Sequence, residues 1–363
     1  MKNIGILTHY QVHNHGALLQ MYGLCSTLES LNYQTYILTY KKNFDFIPKQ
    51  LSFKYNLSLN SIPFYFEYFK KQGFLKTLFN LNKHKKLKKF KNKYYNFQSL
   101  NESKMDFVVV GSDEVFSLEV GCNKMMYGYD IPCKNIISYA PTFGQTNVED
   151  IKRLGCFELI KNGLLKFKAI SVRDVYAAVT VEQLTGIKPN IVCDPVFLYG
   201  FKKEMMLDCS KISKKKYLLV YAYDKNMNND EEITIIKKYA KNNNLKIVSG
   251  GYYHRWADIN VNLNPIELIA LFKSAECVVT DTFHGTVLSV LTNRPFASFV
   301  RSININKMTY LLKSFEVISS KMDDWKNLPK ILSYQHDWNI VNRRILEERE
   351  KGINYLKKVL ADE

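Results

Sequence analysis

The sequence predicts an α/β protein in which two doubly wound, Rossmann-like domains face each other across a cleft. Three observations predict this fold. Short apolar runs alternate with segments that repeat apolar residues at helical spacing, which is typical of β–α–β units. The apolar runs are almost uninterrupted, as in parallel strands that helices cover on both faces. The length of 363 residues exceeds one ordinary core and suits two domains of roughly 100–200 residues each.

The first predicted domain comprises residues 1–200 and begins as a β–α–β unit. Its strand NIGILTH is followed by the helix GALLQMYGLCSTLESL and the strand YQTYILTY. Four more strands are predicted at MDFVVVGSD, NIISYAP, KAISVRD and NIVCDP. The helices FELIKNGLLKF and VYAAVTVEQLTG separate the last three of them. Helices between successive strands allow these strands to run parallel.

Residues 41–104 interrupt this domain and are rich in aromatic residues and lysine. Residues 82–93 alone contain seven lysines together with His84, and Leu87 and Phe90 lie among them. One interpretation is a helical arm whose cationic face meets an anionic membrane or a lipid-linked substrate. The other is a solvated helical insertion whose lysines only aid solubility. The sequence leaves both open.

The second predicted domain comprises residues 201–335 and repeats the alternation after a polar, basic linker, LYGFKKEMMLDCSKISKKK. Its strands are predicted at KYLLVYAYD, LKIVSGG, ECVVTD and PFASFV. The helices between them are DEEITIIKKYAKNNN, NPIELIALFKSA and HGTVLSVLTN. Residues 336–363 are predicted to form a C-terminal helix. Open parallel sheets bind ligands at the carboxyl ends of their strands, so we expect both domains to present these ends to the cleft.

The net charge of +17 arises from 51 lysines and arginines against 34 aspartates and glutamates. This surplus favours anionic partners such as phosphate-bearing small molecules, an anionic membrane surface or nucleic acid. No signature of a nucleic-acid-binding module occurs, so we expect no nucleic-acid partner. P-loop, G-x-G-x-x-G and G-x-S-x-G patterns are also absent from the sequence. Nucleotide hydrolysis, ordinary dinucleotide binding and serine hydrolase chemistry therefore lose support.

The seven cysteines predict reduced thiols, because their number is odd and no C-x-x-C pair occurs. The N-terminal residues MKNIGILTHY start a strand and lack the features of a signal peptide. No window reaches the roughly 18 apolar residues of a membrane span. We therefore expect a soluble cytoplasmic protein, peripheral at the inner face of the membrane if the lysine-rich insertion binds lipid.

The stretch THYQVHNHGALLQ, residues 8–20, places a polar loop between a strand and a helix. The free N–H groups of that helix form an anion site. Gly16 lets a ligand approach the backbone, and Asn14 suits a hydrogen bond to a sugar hydroxyl or a phosphate. Capping and loop packing are the alternative. The histidines of this stretch have no carboxylate or cysteine at ligand spacing, so we expect no metal.

Two further strands end in polar residues. In VVVGSDEVF, Ser112 and Asp113 follow a strand, and Asp113 suits the orientation or deprotonation of a hydroxyl; helix capping is the alternative. In AISVRD, Arg173 ends a strand, so its guanidinium should enter the cleft and suits bidentate binding of carboxylate or phosphate. A surface ion pair of Arg173 with Asp174 or Asp194 is the alternative.

The stretch VVTDTFHGTV places Thr282 after a strand and His284 and Gly285 at the start of a helix. A histidine beside free backbone N–H groups suits a phosphate ligand or a proton donor, and a bound anion would favour its charged form. The alternative is a histidine that is hydrogen-bonded into the turn. Arg301 and Lys307 follow the next strand, and one of these cations would complete an anion pocket.

Together these stretches resemble the polysaccharide pyruvyl transferase family. Four motifs carry the resemblance in the order GILTHYQVHNHGALLQMYGL, DFVVVGSDEVF, ISYAPTFG…ISVRD…VCDPVFL and ELIALFKSAECVVTDTFHGTVLSVLTNRPF. They span about residues 4–300, and the last motif is the most specific. The first is similar to a family pattern N-Y-G-A-x-L-Q, in which His15 replaces the aromatic residue.

The resemblance implies a fold similar to the two-domain B-type glycosyltransferases. It also implies transfer of a pyruvyl group from phosphoenolpyruvate to a sugar, usually as a cyclic ketal across two hydroxyls. Phosphoenolpyruvate is then a co-substrate, and no cofactor is expected. The expected acceptor is a saccharide of a polysaccharide or of its lipid-linked precursor, as in capsule or exopolysaccharide biosynthesis.

The resemblance also suggests roles for the residues identified above. His284 would be the acid or the phosphate contact, and Arg173 would hold carboxylate or phosphate. Asp113 would be the base or a ligand of the acceptor hydroxyl. The other residues expected to bind substrate are Asn14, Gly16, Ser112, Thr282, Gly285, Arg301 and Lys307.

Two alternative functions stay open at this point. One is a glycosyltransferase of the same two-domain architecture that uses a nucleotide-sugar donor. The other is a non-catalytic basic protein that docks on an anionic surface through residues 82–93. The ordered strand-end motifs in both halves of the chain favour an enzyme over the docking protein.

Overall fold

The computed structural model describes residues 1–40, 73–101, 104–119, 123–208, 215–301 and 304–361. The strands of the first domain are β1 (Asn3–Leu7), β2 (Gln34–Thr39), β3 (Phe97–Ser99), β4 (Phe107–Val110), β5 (Ile136–Ser138), β6 (Ser171–Val172) and β7 (Asn190–Ile191). Those of the second domain are β8 (Tyr217–Tyr221), β9 (Lys246–Gly250), β10 (Ile259–Val261), β11 (Cys277–Thr280), β12 (Phe296–Phe299) and β13 (Lys321–Met322).

Both domains contain a parallel sheet with the same reversal of strand order. The first sheet has the order β3-β2-β1-β4-β5, and the second has the order β10-β9-β8-β11-β12-β13. β6 and β7 pair with each other, and a bridge between Ile137 and Ala169 connects them to β5. In each sheet the first strand of the domain lies at the reversal, which is the ligand-binding point of doubly wound folds. The predicted fold class is confirmed.

Helices cover these sheets. They are α1 (His15–Ser30), α2 (Phe74–Tyr94), α3 (Val148–Arg153), α4 (Phe157–Leu164), α5 (Val175–Thr185), α6 (Pro195–Tyr199), α7 (Asp230–Asn242), α8 (Pro265–Ser274), α9 (Phe283–Leu291), α10 (Ile305–Ser314), α11 (Leu328–Ser333) and α12 (Trp338–Leu360). Among the described residues, no helix combines the length and hydropathy of a transmembrane span.

The central strands are apolar throughout because helices cover both of their faces. β4 reads FVVV and β11 reads CVVT, and all eight of these residues are buried. The helices begin where the sequence supplies a cap: Asn264 accepts hydrogen bonds from two backbone N–H groups of α8, and Pro265 is its first residue. Strand ends and helix starts are therefore fixed locally, and they bring polar residues to one edge of each sheet.

Within the described residues, the predicted insertion 41–104 contains the helix α2 and also the short strand β3, which pairs with β2 at the edge of the first sheet. Residues 41–72 lie outside the described residues, and α2 follows them. Leu87 and Phe90, which lie among the lysines of α2, are buried. Cys122, Cys209 and the linker residues 209–214 also lie outside the described residues, whereas the cysteines within them, Cys25, Cys133, Cys156, Cys193 and Cys277, are free thiols.

The C-terminal helix α12 returns to the first domain, which the sequence did not predict. Its Tyr355 hydroxyl donates a hydrogen bond to the Ser138 carbonyl at the end of β5 (2.9 Å). The Tyr33 hydroxyl donates to the Leu360 carbonyl (3.1 Å). This helix also contacts α6 of the first domain and α9 of the second, so it connects the two domains. All strands of the second sheet lie within the predicted range 201–335, but the exact domain boundaries remain a prediction.

Candidate functional site

A cleft of about 460 Å³ lies where the carboxyl ends of the two sheets face each other. Residues that follow β1, β4, β6, β8, β9 and β11 contribute to its lining. Six of the predicted site residues line it, namely His284, Arg173, Asp113, Asn14, Thr282 and Lys307. The sequence reasoning assigned no binding role to the other lining residues, which are His9, Val12, Glu114, Glu119, Gln145, Tyr221, Tyr223, Tyr252, Asp281, Phe283 and Asn304.

The N-termini of one helix from each domain meet in this cleft. Asn14 caps α1 by accepting a hydrogen bond from the Gly16 N–H (2.9 Å). Thr282 caps α9 by accepting one from the Gly285 N–H (3.0 Å). Helix N-termini carry a partial positive charge and free N–H groups, so two of them at one cleft favour an anionic ligand.

Gly16 allows the two helices to approach each other this closely. A Cβ atom added at Gly16 would lie 2.3 Å from Cγ and Nδ1 of the His284 ring. Any larger residue would push the imidazole out of place. The sequence reasoning assigned Gly16 to substrate binding, but its contact in the structure is with His284.

We therefore expect Gly16→Ala to destabilise the protein by about 1–3 kcal/mol, because overpacking forces neighbouring groups to move. Displacement of His284 should also lower the rate of any reaction in the cleft. Thermal unfolding and activity assays measure the two effects. The control is Ser30→Ala at the exposed end of the same helix, and a Gly16→Ala protein with wild-type stability and activity would contradict the proposed packing.

A buried carboxylate joins the two predicted cationic residues. The Asp194 side chain accepts a hydrogen bond from Arg173 Nη1 (3.0 Å) and lies 3.6 Å from His284 Nε2. Arg173 belongs to the first domain and His284 to the second. The guanidinium of Arg173 also lies over the Phe283 ring, 4.1 Å from its centroid. The sequence reasoning considered Asp194 only as a surface partner of Arg173, whereas it is 2 % exposed and contacts both residues.

The charges around Asp194 determine its ionisation. Burial alone would raise its pKa, but contacts with His284 and Arg173 and a backbone N–H of Val196 outweigh this effect and lower the pKa to about 2. Burial likewise opposes the charge of Arg173, yet Asp194 and the more distant Asp113 raise its pKa. Asp194 and Arg173 are therefore charged at neutral pH.

Two buried nitrogen atoms at this site are left without a hydrogen-bond partner within the described residues. They are Nε of Arg173 and Nε2 of His284. Buried polar nitrogen atoms are rarely left unsatisfied, because each costs free energy comparable to a lost hydrogen bond. An anionic group bound beside them would supply acceptors to both.

The first-domain wall of the cleft is acidic. Asp113 Oδ1 lies 3.7 Å from Arg173 Nη1, and Glu114 forms an ion pair with Lys307 across the cleft. Lys307 is already paired with Glu114. An anion that enters the cleft would therefore compete with the Glu114 carboxylate for the ammonium group of Lys307. The free faces of Asp113 and Glu119 suit hydrogen bonds to hydroxyl groups, since ionised carboxylates accept only.

Three predicted binding residues have other contacts in the structure. Arg301 donates from Nε to Asp281 (2.9 Å), a buried residue that lines the cleft, and lies 3.8 Å from the buried Glu232. Ser112 is buried and donates its hydroxyl hydrogen to the Ala140 carbonyl (3.1 Å). Gly285 packs against Thr280, whose Oγ1 would lie 2.1 Å from an added Cβ. Substrate-binding roles for these three residues stay predictions.

Three tyrosines form the second-domain corner of the cleft. The ring centroid of Tyr252 lies 5.3 Å from that of Tyr221 and 5.4 Å from that of Tyr223, both in edge-on arrangements. Burial raises the pKa of Tyr223 to about 12, with a smaller contribution from neighbouring carboxylates. Its hydroxyl is therefore neutral and available for hydrogen bonds. Of the three rings, that of Tyr223 is exposed, whereas Tyr221 and Tyr252 are buried.

The histidines of the first loop have structural contacts. His15 is buried, its Nε2 lies 2.9 Å from the Leu263 carbonyl, and burial lowers its pKa to about 3. His13 stacks on His84 with ring centroids 4.1 Å apart, and burial lowers its pKa to about 4. Within the part of the chain that the structure describes, no group of three or more potential ligands is arranged to hold a metal ion.

The two facing parallel sheets and the cleft between them define a B-type glycosyltransferase-like architecture. Solved structures with this architecture are similar to the chain in fold, although their sequence identity to it is low. A UDP-GlcNAc 2-epimerase from Methanocaldococcus jannaschii has a TM-score of 0.55 at 13 % identity, covering 99 % of both chains. S. aureus MnaA with UDP has a TM-score of 0.51 at 12 % identity, covering 99 % of this chain and 97 % of the other.

Within this class, residues 14–302 match the family described as polysaccharide pyruvyl transferase. The chain belongs to this family. The matched region includes most residues that line the cleft, but not His9 and Val12 before it or Asn304 and Lys307 after it. No curated protein sequence shows significant similarity to the chain.

Proposed function

We propose that this protein transfers a pyruvyl group from phosphoenolpyruvate to a saccharide, forming a ketal and releasing phosphate. The main support for this proposal is that Arg173 and His284, from different domains, line one cleft and both contact the carboxylate of Asp194. Phosphoenolpyruvate carries a phosphate and a carboxylate close together. Two helix N-termini, Arg173 and Lys307 offer that donor several positive groups within one cleft.

The proposed chemistry begins with protonation of the donor. His284 gives a proton to the methylene carbon of phosphoenolpyruvate, and the neighbouring carbon becomes electrophilic. An acceptor hydroxyl attacks that carbon while Asp113 takes its proton. The bond from this carbon to the phosphate oxygen then breaks, and phosphate leaves with the electron pair. The second hydroxyl attacks the same carbon and closes the ketal. Its proton restores His284, and the proton on Asp113 passes to the departing phosphate. Arg173 and the helix N-termini stabilise the anionic donor and the departing phosphate.

Donor binding is the direct test of this proposal. We expect phosphoenolpyruvate to raise the thermal unfolding temperature of the protein, because a ligand that binds only the folded state stabilises it. UDP-GlcNAc is the comparison ligand, since solved structures of similar fold contain UDP. Phosphate release from phosphoenolpyruvate in the presence of a saccharide acceptor measures turnover.

Each outcome of that experiment is informative. Stabilisation and phosphate release with phosphoenolpyruvate support pyruvyl transfer. Stabilisation by UDP-GlcNAc alone would instead support the alternative, a glycosyltransferase that uses a nucleotide sugar. If neither ligand binds and the cleft variants behave as wild type, the non-catalytic docking protein is favoured. Arg173→Lys is a useful companion variant, because it keeps the charge but loses the bidentate geometry.

We further propose that the acceptor is lipid-linked and that the protein works at the inner face of the membrane from the cytoplasm. The surplus of positive charge supports an anionic surface as a partner. The aromatic corner at Tyr223 and the carboxylates Asp113 and Glu119 support a saccharide in the remainder of the cleft, because sugars stack on aromatic rings and donate hydroxyl hydrogens to carboxylates.

A further inference from the structure

The inward face of α2 contacts both domains beside the cleft. Lys76 forms an ion pair with Asp224 (2.9 Å), and Lys83 lies over the ring of Tyr252, 3.8 Å from its centroid. Lys86 donates to the carbonyl of Asn262 (2.6 Å). Several lysines of this helix are therefore occupied within the protein, and the lysine run as a whole is not a free cationic surface.

The outward face of α2 has a different composition. Residues 74, 78, 81, 85 and 88 are separated by four, three, four and three positions, so they lie on one side of the helix. The exposed fractions of its apolar residues are 73 % for Phe74, 64 % for Leu75, 46 % for Leu78 and 61 % for Leu81. Phe74, Leu78 and Leu81 therefore form an apolar strip along this face, and Leu75 lies at its edge, about 100° around the helix from Phe74.

The second half of the same face is basic. Lys85, Lys88 and Lys89 are exposed and follow the apolar strip along the helix. At the other end, the exposed Arg255 of the second domain lines a groove together with Phe74 and Leu75. The apolar strip is therefore bordered by cations at both ends. We call Phe74, Leu75, Leu78, Leu81, Lys85, Lys88, Lys89 and Arg255 the docking face.

We propose that the docking face binds the surface of an anionic phospholipid bilayer, with α2 parallel to the membrane. The apolar strip would enter the boundary between headgroups and acyl chains while the lysines and Arg255 contact lipid phosphates. This arrangement is that of an interfacial amphipathic helix. The positive border selects an anionic surface over a second copy of this chain, because two copies would bring like charges together.

Membrane binding through this face would also orient the cleft. The opposite side of α2 contacts Tyr252, which lines the cleft, and His84 of α2 stacks on His13, next to the cleft residue Asn14. The cleft therefore opens beside the bound surface. If the proposed pyruvyl transfer is correct, a lipid-linked acceptor would reach it without leaving the membrane.

Vesicle co-sedimentation of the full chain tests the docking face. The probes are vesicles of phosphatidylcholine alone and vesicles of phosphatidylcholine with phosphatidylglycerol in equal parts. We expect binding to the anionic vesicles only. The apolar variant Phe74→Ser/Leu78→Ser and the basic variant Lys85→Gln/Lys88→Gln/Lys89→Gln should each lower partitioning at least about tenfold at roughly 0.1 M salt.

The salt concentration distinguishes the apolar contribution to vesicle binding from the electrostatic one. At about 0.5 M salt the basic variant should bind as weakly as the wild type, because charges are screened, whereas the apolar variant should bind more weakly than either. The control is Leu165→Ser/Leu346→Ser, which replaces two exposed leucines outside α2, one just after α4 and one in α12. This variant should bind as the wild type does.

Two outcomes would overturn the proposal. In one, the wild type does not bind anionic vesicles. In the other, the apolar variant binds anionic vesicles as well as the wild type does. If the unfolding temperature of that variant is also lowered, another part of this chain covers the apolar strip. Neither outcome concerns phosphoenolpyruvate, because the assay contains no substrate. Failure of the docking face is therefore separable from failure of the proposed pyruvyl transfer.

Discussion

Substitution of His284 by alanine is expected to lower kcat for phosphate release by roughly 10²–10⁴-fold, the usual contribution of a general acid. This expectation follows from the position of His284 in the cleft. His284 lies at the second residue of α9, against Gly16 of α1, and lines the cleft with Arg173. Steady-state kinetics with phosphoenolpyruvate measures the effect.

The kinetic parameters distinguish the two roles left open for His284. Loss of a proton donor lowers kcat and leaves the KM for phosphoenolpyruvate nearly unchanged, whereas loss of a phosphate contact raises that KM. The control is His336→Gln, since His336 is a half-buried histidine that contacts Ser320 away from the cleft. A His284→Ala protein that keeps the wild-type rate would remove His284 from the mechanism.

Most of the fold was predictable because its signals are local. Uninterrupted apolar runs such as FVVV specify buried parallel strands, and residues such as Asn264 and Pro265 specify where a helix begins. The strand-end rule then places Arg173 and His284 near each other without any knowledge of contacts. The same rule places Asn14, Asp113, Thr282 and Lys307 in the cleft, and the structure puts all four there.

The rest depends on contacts between residues far apart in the chain. The role of Asp194 arises because its carboxylate lies between two domains, and spacing alone pairs it only with Arg173. Arg301 follows a strand just as Arg173 does, yet its guanidinium pairs with Asp281 and Arg301 is not among the residues that line the cleft. Tyr252 lines the cleft because of how its loop folds, and no periodic pattern marks it.

The inward and outward faces of α2 also escaped the sequence reasoning, for a related reason. Its lysines occur all round the helix, so composition cannot separate those that contact Asp224 or Tyr252 from those exposed to solvent. The tertiary structure makes that separation. The predicted cationic arm therefore becomes a helix with one face packed on both domains and one face that carries an apolar strip.

Asp194→Asn should be the most destabilising substitution in the cleft. It leaves the buried guanidinium of Arg173 with weaker charged partners, of which the strongest is Asp113, whose carboxylate is 3.7 Å away. Removal of one member of a buried ion pair typically costs about 3–5 kcal/mol. Urea unfolding at neutral pH measures this cost. The control is Glu316→Gln, which breaks an exposed ion pair with Arg344 and should change the free energy of unfolding by less than about 1 kcal/mol.

The pH dependence of that difference tests the charge of Asp194 itself. Its pKa falls from 3.8 in the unfolded chain to about 2 in the folded protein, so the folded state favours the carboxylate. The resulting stabilisation, about 2 kcal/mol, is complete above pH 3.8 and is lost as the pH falls towards 2. We therefore expect the stability difference between wild type and Asp194→Asn to shrink between about pH 5 and pH 2. A constant difference across this range would mean that Asp194 acts through packing and hydrogen bonds, and that Arg173 and His284 do not depend on its charge.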